Sequence, residues 1–518
     1  MIHFKNIASR LRYNIRQLPF KNIIAQKENN DWIWYTYNDL NNKINYCINV
    51  LKKNNINYGD NVVYKGKNSI DWIAWNMATY SIGAVWVPLY HNQNHEYIQH
   101  VLDDSYPKMF ITDDYKNSKK YSSLIDANYK LNICKNKIPD ITLSFKDKIF
   151  SVKEYEISNL IYTSGTSSAP KGVILTHNNL LSNLNMVEKN FFSLQEKYNC
   201  LTTLNILPWA HIYSLNTELY YNLLNNNCIA LCDHPNNLLE DIKKIQPNTL
   251  YFVPRILENI KQKVDFLDKP FINKILPYIL GKIFGNKLLI IFTGGAYLSP
   301  ITKKFYIDNG IKIIEGYGAT ETSPMISVHN LDSYQNIESI GKILDNVVVE
   351  IIDNEICVHG KNVMKGYWNN KKETEKVFFE KNNMRFYKTG DSGYIKDNFL
   401  YYKGRINTNY KLSNGKFVNV EEVENNIKKH TNKNLLVYGE NRDYNILIME
   451  HDLVINKIDF LKKINDSLNN KYLKIKDILF IDNKLFIDNM TPKMSIKRKE
   501  VYRSLKHKIN ILYLSHKK

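Results

Sequence analysis

The chain has 518 residues, with 70 lysines and arginines against 51 aspartates and glutamates, so its formal net charge is +19. Apolar residues make up 44% of it, which excludes a chain that is disordered throughout. Six scattered cysteines exclude a small disulfide-stapled secreted domain and favour a reducing compartment. A chain of this length is expected to form three or four compact units.

The positive charge suggests nucleic acid, but the lysines and arginines are spread along the whole chain instead of forming one basic stripe. We therefore predict no nucleic-acid partner. Residues 1–21 are basic with interspersed apolar residues, which favours a first helix. Docking on an anionic membrane and an amphipathic targeting segment remain alternatives. No stretch approaches about 18 uninterrupted apolar residues. We expect a cytoplasmic protein, with peripheral membrane association left open and the oligomeric state not predicted.

Short apolar strands and helical patterns alternate through most of the first four hundred residues. Helices are predicted at 70–80 and 96–102. Strands are predicted at 61–65, 84–89, 109–112, 201–207, 228–232, 250–253 and 288–292. This alternation predicts βαβ units and parallel sheet.

The pattern changes in the last third of the chain. Residues 347–359 and 399–403 alternate in the way typical of hairpin strands. After about residue 411 we predict a separate small α+β domain, made of helices 420–430 and 458–469 and strands 435–438 and 446–450.

The strongest local signal is the run Y-T-S-G-T-S-S-A-P-K-G-V at 162–173, which follows a predicted strand at 157–162. Such a loop offers backbone N–H groups, hydroxyls and one cation, Lys171, to phosphate oxygens. The Walker spacing is absent, so a P-loop ATPase is disfavoured. The alternative for the loop alone is an ordinary Ser/Thr turn between a strand and a helix.

This run resembles the signature of the adenylate-forming superfamily, which includes acyl-CoA synthetases, luciferases and peptide-synthetase adenylation domains. Further blocks match in the same order: L-P-W-A-H at 207–211, G-G-A at 294–296, G-Y-G-A-T-E-T at 316–322, Y-K-T-G-D at 387–391, G-R at 404–405, K-L-S-N-G-K at 411–416 and T-P-K-M-S-I-K-R at 491–498. The blocks look most like those of long-chain fatty acyl-CoA synthetases.

The resemblance implies an α/β fold with a large multi-subdomain N-terminal domain at 1–404 and a small mobile C-terminal α+β domain at 405–518. It implies an ATP-dependent fatty acid–CoA ligase. A carboxylate and ATP would give acyl-AMP and pyrophosphate, and coenzyme A would then give acyl-CoA and AMP. The expected substrates are a medium- to long-chain fatty acid, ATP and CoA, with Mg²⁺ as the metal.

The resemblance also implies site residues. The β- and γ-phosphates would be held by Thr163, Ser164, Gly165, Thr166 and Lys171. The adenine slot would be formed by Gly295, Ala296, Tyr317 and Gly318. Asp391 would bind the ribose hydroxyls, and Arg405 would bind ribose or phosphate.

The remaining implied residues serve catalysis. Thr320 would bind phosphate, and Mg²⁺ would be held by Glu321 with Thr166. Lys497 would bridge the reacting carboxylate and the α-phosphate, while His211 would gate the substrate. After the C-terminal domain swings, the loop at Gly415 would guide the CoA thiol.

Several residues depart from the family pattern. Ser168 replaces a usual glycine, and Asn407 and Thr408 replace the charged residues common at the hinge. Two rival hypotheses follow: an acyl-AMP ligase that uses an acceptor other than CoA, and a degenerate, non-catalytic acyl- or nucleotide-binding protein. His100 and Asp104 have an H-x-x-x-D spacing, which we interpret as a polar helix face.

Overall fold

The computed structural model describes residues 4–112, 130–131, 138, 152–163, 170–265, 272–451, 455–468, 470–490 and 496–516. In chain order, the strands are β1 Asn22–Glu28, β2 Asp31–Thr36, β3 Asn61–Lys65, β4 Val85–Leu89, β5 Met109–Thr112, β6 Lys130–Leu131, β7 Ile157–Thr163, β8 Lys171–Thr176, β9 Thr202–Asn205, β10 Cys228–Leu231, β11 Thr249–Phe252, β12 Ile290–Thr293, β13 Ile313–Gly318, β14 Met325–Val328, β15 Lys342–Ile343, β16 Val347–Ile352, β17 Glu355–Gly360, β18 Gly366–Tyr367, β19 Phe378–Lys381, β20 Met384–Lys396, β21 Phe399–Arg405, β22 Tyr410–Lys411, β23 Phe417–Val418, β24 Leu435–Tyr438, β25 Asn445–Glu450 and β26 Ile475–Ile481.

The helices are α1 Ile7–Gln17, α2 Tyr37–Lys53, α3 Ile70–Ser81, α4 His95–Ser105, α5 His177–Asn190, α6 Phe192–Lys197, α7 Tyr221–Leu224, α8 Leu238–Ile245, α9 Pro254–Asp265, α10 Ile272–Phe284, α11 Pro300–Asp308, α12 Lys371–Val377, α13 Val420–Lys428, α14 Lys457–Asp466, α15 Asn483–Asp488, α16 Arg498–Ser504 and α17 Lys506–Ser515. A π-helix at Tyr213–Tyr220 precedes α7. Among the described residues, none of these helices is long and apolar enough to cross a bilayer.

Local sequence explains where these elements start. Ser69 caps α3 by accepting a hydrogen bond from the backbone N–H of Trp72, and Asn94 caps α4 in the same way. Every residue of β3 and β4 is buried, as expected for parallel strands covered on both faces. The strands and helices predicted in the first three hundred residues are confirmed, with shifts of a few residues at their ends.

A seven-stranded sheet has the order β18-β8-β7-β4-β3-β5-β6. Strands β3 to β7 pair in parallel, whereas β8 pairs antiparallel with both β7 and β18. The run at 162–173 therefore joins two antiparallel strands, β7 and β8, and not a strand and a helix as the turn interpretation assumed.

The large sheet changes character at β13. On one side, β12, β11, β9, β10 and β1 follow in parallel, with β2 antiparallel at the edge; on the other side, β14, β15, β21, β20, β17 and β16 are antiparallel. Within β13, Glu315 still pairs in parallel with Thr293 of β12, whereas Gly316 already pairs antiparallel with Val328 of β14. Ligands commonly bind where the carboxyl ends of parallel strands open in this way.

The chain beyond Arg405 forms a smaller α+β unit. Strands β24 and β25 are antiparallel, and β26 joins β25 in parallel. Its buried apolar residues fall into two clusters, between Leu412 and Ile478 and between Leu436 and Tyr513, and neither includes a residue that precedes β22. The mixed α/β fold with a large N-terminal and a small C-terminal domain is confirmed, while the boundary at 404/405 and the mobility stay predictions.

Candidate functional site

A cavity of about 1210 Å³ lies between the carboxyl end of β13, the paired strands β20 and β21, and the C-terminal α+β unit. Predicted site residues from six separate motifs line it: Thr163, Gly295, Ala296, Tyr317, Gly318, Asp391, Arg405 and Lys497. The fold therefore brings together side chains that the sequence separates by hundreds of residues.

Asp391 is a buried polar group of the cavity, with only 4% of its surface exposed. It lies directly opposite Arg405 in the β20–β21 pair, and Arg405 Nε is 3.0 Å from Asp391 Oδ1. The hydroxyl of Tyr317 donates to Asp391 Oδ2 at 2.6 Å. Burial raises the pKa of Asp391, while Arg405 and the Tyr317 hydrogen bond oppose that shift. A fixed acceptor thus faces the cavity.

Glycines bring backbone segments together at the slot predicted for adenine. A Cβ on Gly318 would lie 1.7 Å from the carbonyl oxygen of Pro324, and one on Gly294 would lie 3.0 Å from the carbonyl oxygen of Gly316. Gly295 has a φ of +80°, which favours glycine. Any larger side chain at Gly318 would therefore push the strands apart.

Tyr402 is a cavity residue that sequence reasoning missed. Its ring centroid is 6.2 Å from that of Tyr317 and 5.6 Å from that of Tyr297. The three tyrosines give the slot flat apolar surfaces suited to a planar ring. Among 36 tyrosines, no sequence signal marks this one.

The ends of the hydroxyl-rich loop are held at the edge of the cavity. Thr163 and Lys171 lie opposite each other in the β7–β8 pair, and Thr163 lines the cavity whereas Lys171 does not. Lys171 forms an ion pair with Glu373 and lies 5.2 Å from the ring centroid of Tyr367. Lys171 and Lys376 lower the pKa of Glu373 to about 2. The predicted residues Ser164, Gly165 and Thr166, and the variant Ser168, lie outside the described residues.

The His100–Asp104 pair has a structural role that sequence reasoning did not assign. His100 Nε2 lies 2.7 Å from the carbonyl oxygen of Pro170, and Asp104 Oδ2 accepts a hydrogen bond from the Tyr162 hydroxyl at 2.6 Å. The backbone oxygen of Asp104 accepts from the Trp368 indole at 3.0 Å. Helix α4 therefore fastens both ends of the loop, which the spacing of these residues could not show without knowledge of where the loop lies.

Thr320 and Glu321 lie just beyond β13, outside the cavity lining given by the described residues. Thr320 is 5% exposed, and Glu321 Oε1 accepts a hydrogen bond from the Tyr367 hydroxyl at 2.9 Å. A carboxylate suits a hard cation such as Mg²⁺, so Glu321 fits the metal that the resemblance implies.

His211 and Gly415 also lie outside the lining. His211 is close to the slot predicted for adenine, because its Cε1 atom is 3.8 Å from the position of a Cβ on Gly295. Gly415 lies in the exposed turn between β22 and β23, with a φ of +79° and open space around it. The structure thus places His211, but not Gly415, next to the predicted site.

Lys497 is exposed at the start of α16 and lines the cavity. Its backbone N–H donates to the carbonyl oxygen of Asn489 at 2.8 Å. The adjacent Arg498 makes a two-point ion pair with Glu424, which is 3% exposed; the Nη1–Oε1 distance is 2.6 Å. This pair fixes the start of the helix while the Lys497 side chain extends from it. Sequence reasoning gave Arg498 and Glu424 no role.

The hinge predicted at Asn407 lies in a short 3₁₀ turn, Ile406–Thr408, that also lines the cavity. Thr408 Oγ1 donates to the carbonyl oxygen of Arg405 at 2.9 Å. The hydroxyl thus gives the turn a local hydrogen bond where the family has a charged residue.

Two kinds of curated relative are similar to this chain at comparable identity. A D-alanine–D-alanyl carrier protein ligase of Listeria monocytogenes serotype 4b is 27% identical over 340 residues, covering 61% of this chain and 63% of that ligase, which is less than two thirds of its length. The same kind of ligase from Lactococcus lactis is 26% identical, with 78% of each chain covered. Long chain acyl-CoA synthetase 3 of Arabidopsis thaliana is 24% identical, covering 83% of this chain and 75% of that protein.

Solved structures show the same fold over nearly the whole chain. The anthranilate CoA ligase AuaEII in complex with anthranoyl-AMP has a TM-score of 0.81 at 16% identity, covering 97% of this chain and 98% of that one. ATP-bound MatB from Rhodopseudomonas palustris also has a TM-score of 0.81, at 20% identity, covering 97% and 99%. The model of the family described as "AMP-binding enzyme" matches residues 11–368. The chain therefore belongs to the AMP-binding enzyme family.

Proposed function

We propose that the chain is an ATP-dependent acid–thiol ligase. It would join a carboxylic acid to AMP with release of pyrophosphate, and then pass the acyl group to the thiol of coenzyme A. The observation that carries this proposal is the single cavity that collects the Asp391–Arg405–Tyr317 cluster and the exposed Lys497.

The first step brings two anions together. A carboxylate oxygen attacks the α-phosphorus of ATP, the bond from that phosphorus to the bridging oxygen breaks, and pyrophosphate leaves with the electron pair. Lys497 would place its ammonium between the carboxylate and the α-phosphate, where negative charge develops. Asp391 would accept hydrogen bonds from the ribose hydroxyls, with Arg405 beside it.

Mg²⁺ would be held by Glu321, with Thr320 turned to phosphate, and Thr166 is the second ligand that the resemblance implies. When bound, the ion would neutralise charge on the phosphates. On the protein side, the Tyr367 hydroxyl keeps one carboxylate oxygen of Glu321 oriented.

We propose a medium- to long-chain fatty acid as the acid. The Arabidopsis relative supports this choice, together with the L-P-W-A-H and T-P-K-M-S blocks. The test is ATP–pyrophosphate exchange with acids from two to eighteen carbons, with D-alanine in the same panel. Exchange driven by a fatty acid supports the proposal. No exchange with any acid, alongside normal ATP binding, would favour a non-catalytic nucleotide-binding protein.

A second candidate is transfer to a carrier-protein thiol, which the Listeria and Lactococcus relatives favour. The acceptor is tested by incubating the purified acyl-AMP with CoA or with a phosphopantetheinylated carrier protein. Thioester formation with CoA alone supports the ligase proposed here. Formation with the carrier protein alone supports the second candidate.

A further inference from the structure

Lys303 is a fully buried lysine behind the adenine slot. Lys303 lies on α11 and is 0% exposed. Its Nζ atom is 3.2 Å from Oε2 of Glu315 and 2.9 Å from Nε2 of His329. It also donates to the backbone oxygens of Asn336 and Ser339, at 3.3 and 3.2 Å. One ammonium therefore connects α11, β13, the end of β14 and the 330–341 segment.

Glu315 connects this ammonium to both segments of the slot. Its backbone directly precedes Gly316 in β13, and it pairs with Thr293 just before the G-G-A segment. The backbone N–H of Leu298, which follows that segment, lowers the pKa of the Glu315 carboxyl. Glu315 is 3% exposed and lines the cavity. A displaced carboxylate would therefore shift both sides of the slot.

The pair is held in a region with few other charges. Burial lowers the pKa of Lys303 and raises that of Glu315, and each group opposes the shift of the other. The titratable groups that act on the pair are His329, Tyr297 and Glu338. Burial and Lys303 lower the pKa of His329 to about 4, so its neutral ring accepts from the ammonium near pH 7. Lys303 thus supplies the positive charge that faces Glu315.

We propose that Lys303 is a positioning residue for nucleotide binding, which anchors the Glu315 carboxylate and so keeps segments 294–298 and 316–318 at the spacing of the slot. This inference rests on the proposed function, because it takes the cavity to be the nucleotide site. No substrate atom needs to touch Lys303.

The test is equilibrium binding of ATP and AMP by calorimetry between pH 6 and pH 9, which needs neither the acid nor the acceptor. The variants are K303M, E315Q and the double variant K303M/E315Q. The matched control is K304M, which removes the neighbouring exposed lysine that pairs with Asp308. Thermal melting of each variant reports stability separately.

K303M is expected to weaken ATP binding at least tenfold at pH 8 and less at pH 6. Burial raises the pKa of Glu315, so without the ammonium its carboxyl can stay buried in the neutral, protonated form at low pH. As the pH rises through this pKa, the carboxyl ionises, and a buried charge without its partner displaces the slot. The double variant is expected to bind within threefold of the wild type and to lose the pH dependence. K304M should bind like the wild type.

Wild-type affinity in K303M at every pH would overturn the inference, because a purely structural role lowers only the melting temperature. A double variant that binds no better than K303M would also overturn it. If K303M does not fold, the E315Q variant is the test. The inference expects E315Q to bind ATP several-fold more weakly than the wild type, and unchanged binding in E315Q would overturn it. If the wild type itself binds no ATP, the proposed function fails instead.

Discussion

The two sides of the cavity are built differently. On the large sheet, Asp391 is buried and held by Tyr317 and Arg405 across paired strands. On the C-terminal unit, Lys497 is exposed, and the backbone that carries it is held by the neighbouring Arg498–Glu424 ion pair. The first side presents a fixed binding surface, and the second presents a long cation on an anchored backbone.

This difference matches the division of work in the proposed reaction. A group that binds the same nucleotide in both half-reactions gains from rigidity, because less ordering is needed on binding. A group needed in only one half-reaction can be carried on a separate unit and withdrawn. The difference predicts that changes on the sheet side affect nucleotide affinity, while changes on the C-terminal side affect the adenylation rate.

The largest expected effect comes from Lys497→Ala. Loss of a cation at the developing charge should slow adenylation by about 10³-fold, while thioester formation from supplied acyl-AMP should persist. Pyrophosphate exchange and single-turnover thioester formation measure the two steps. The control is Lys499→Ala, which removes the next lysine along the chain; Lys499 lies in α16 and also lines the cavity. If both half-reactions survive in Lys497→Ala, the assignment of this lysine is wrong.

Arg498→Met should affect stability instead of binding. Its partner Glu424 is 3% exposed and also accepts the backbone N–H of Val437, so removal of the arginine leaves a buried carboxylate without its ion pair. We expect a loss of about 3 kcal/mol in the free energy of unfolding of the C-terminal unit. Urea denaturation measures it.

The matched control for that change is Arg503→Met in the same helix. Arg503 pairs with Glu500, but its side chain is 75% exposed, so its removal should change the free energy of unfolding by well under about 1 kcal/mol. Equal losses in the two variants would contradict the view that the Arg498–Glu424 pair anchors the start of α16.

Much of the fold could be predicted from the sequence, because strong local patterns mark its elements. The strand at Asn61–Lys65 has an apolar centre and is buried throughout, and the helix at Ile70–Ser81 follows a capping serine. The antiparallel β7–β8 pair was not predicted, since it depends on a partner strand beyond the loop. The order of the motifs also predicted site residues, and most of those that the structure describes line the same cavity.

Other parts of the site could not be predicted, because they depend on pairings between distant residues. Lys303 and Glu315 are 12 residues apart, and Glu424 and Arg498 are 74 apart. Charged residues are usually exposed, so nothing in a single sequence marks these as buried. Tyr402 and Asp104 were missed for the same reason: their roles arise from what packs against them.

Asp391→Asn tests the rigid side of the cavity. The amide keeps the size of the side chain but loses the charge that pairs with Arg405 and the acceptor expected for one ribose hydroxyl. A hydrogen bond to a charged group contributes about 1.5–3 kcal/mol, so ATP affinity should fall about 10- to 100-fold. Calorimetry measures it, with Asp397→Asn at the exposed end of the same hairpin as the control. A lower adenylation rate at unchanged affinity would contradict the division between the two sides.

The smallest expected effect has the opposite sign and concerns Lys171, a cation on the sheet side that is already paired. Its partner Glu373 has a pKa lowered to about 2 by Lys171 and Lys376, so the pair is fully formed above the ordinary value of 4.5 and is lost only as the pH falls toward 2. ATP phosphates would have to compete with this carboxylate across the physiological range. Glu373→Gln should therefore lower the KM for ATP about two- to threefold, as expected for a partly exposed ion pair.

The measurement for Glu373→Gln is the KM for ATP in pyrophosphate exchange between pH 5.5 and pH 8, where the gain should stay constant because Glu373 is ionised throughout. Glu375→Gln is the control, since Glu375 lies on the same helix but pairs with the exposed Lys371. A gain that shrinks in high salt would agree with competition between two anions for one cation. A higher KM in Glu373→Gln would mean that the carboxylate holds Lys171 in place for phosphate, and Lys171 would then share the fixed character of Asp391.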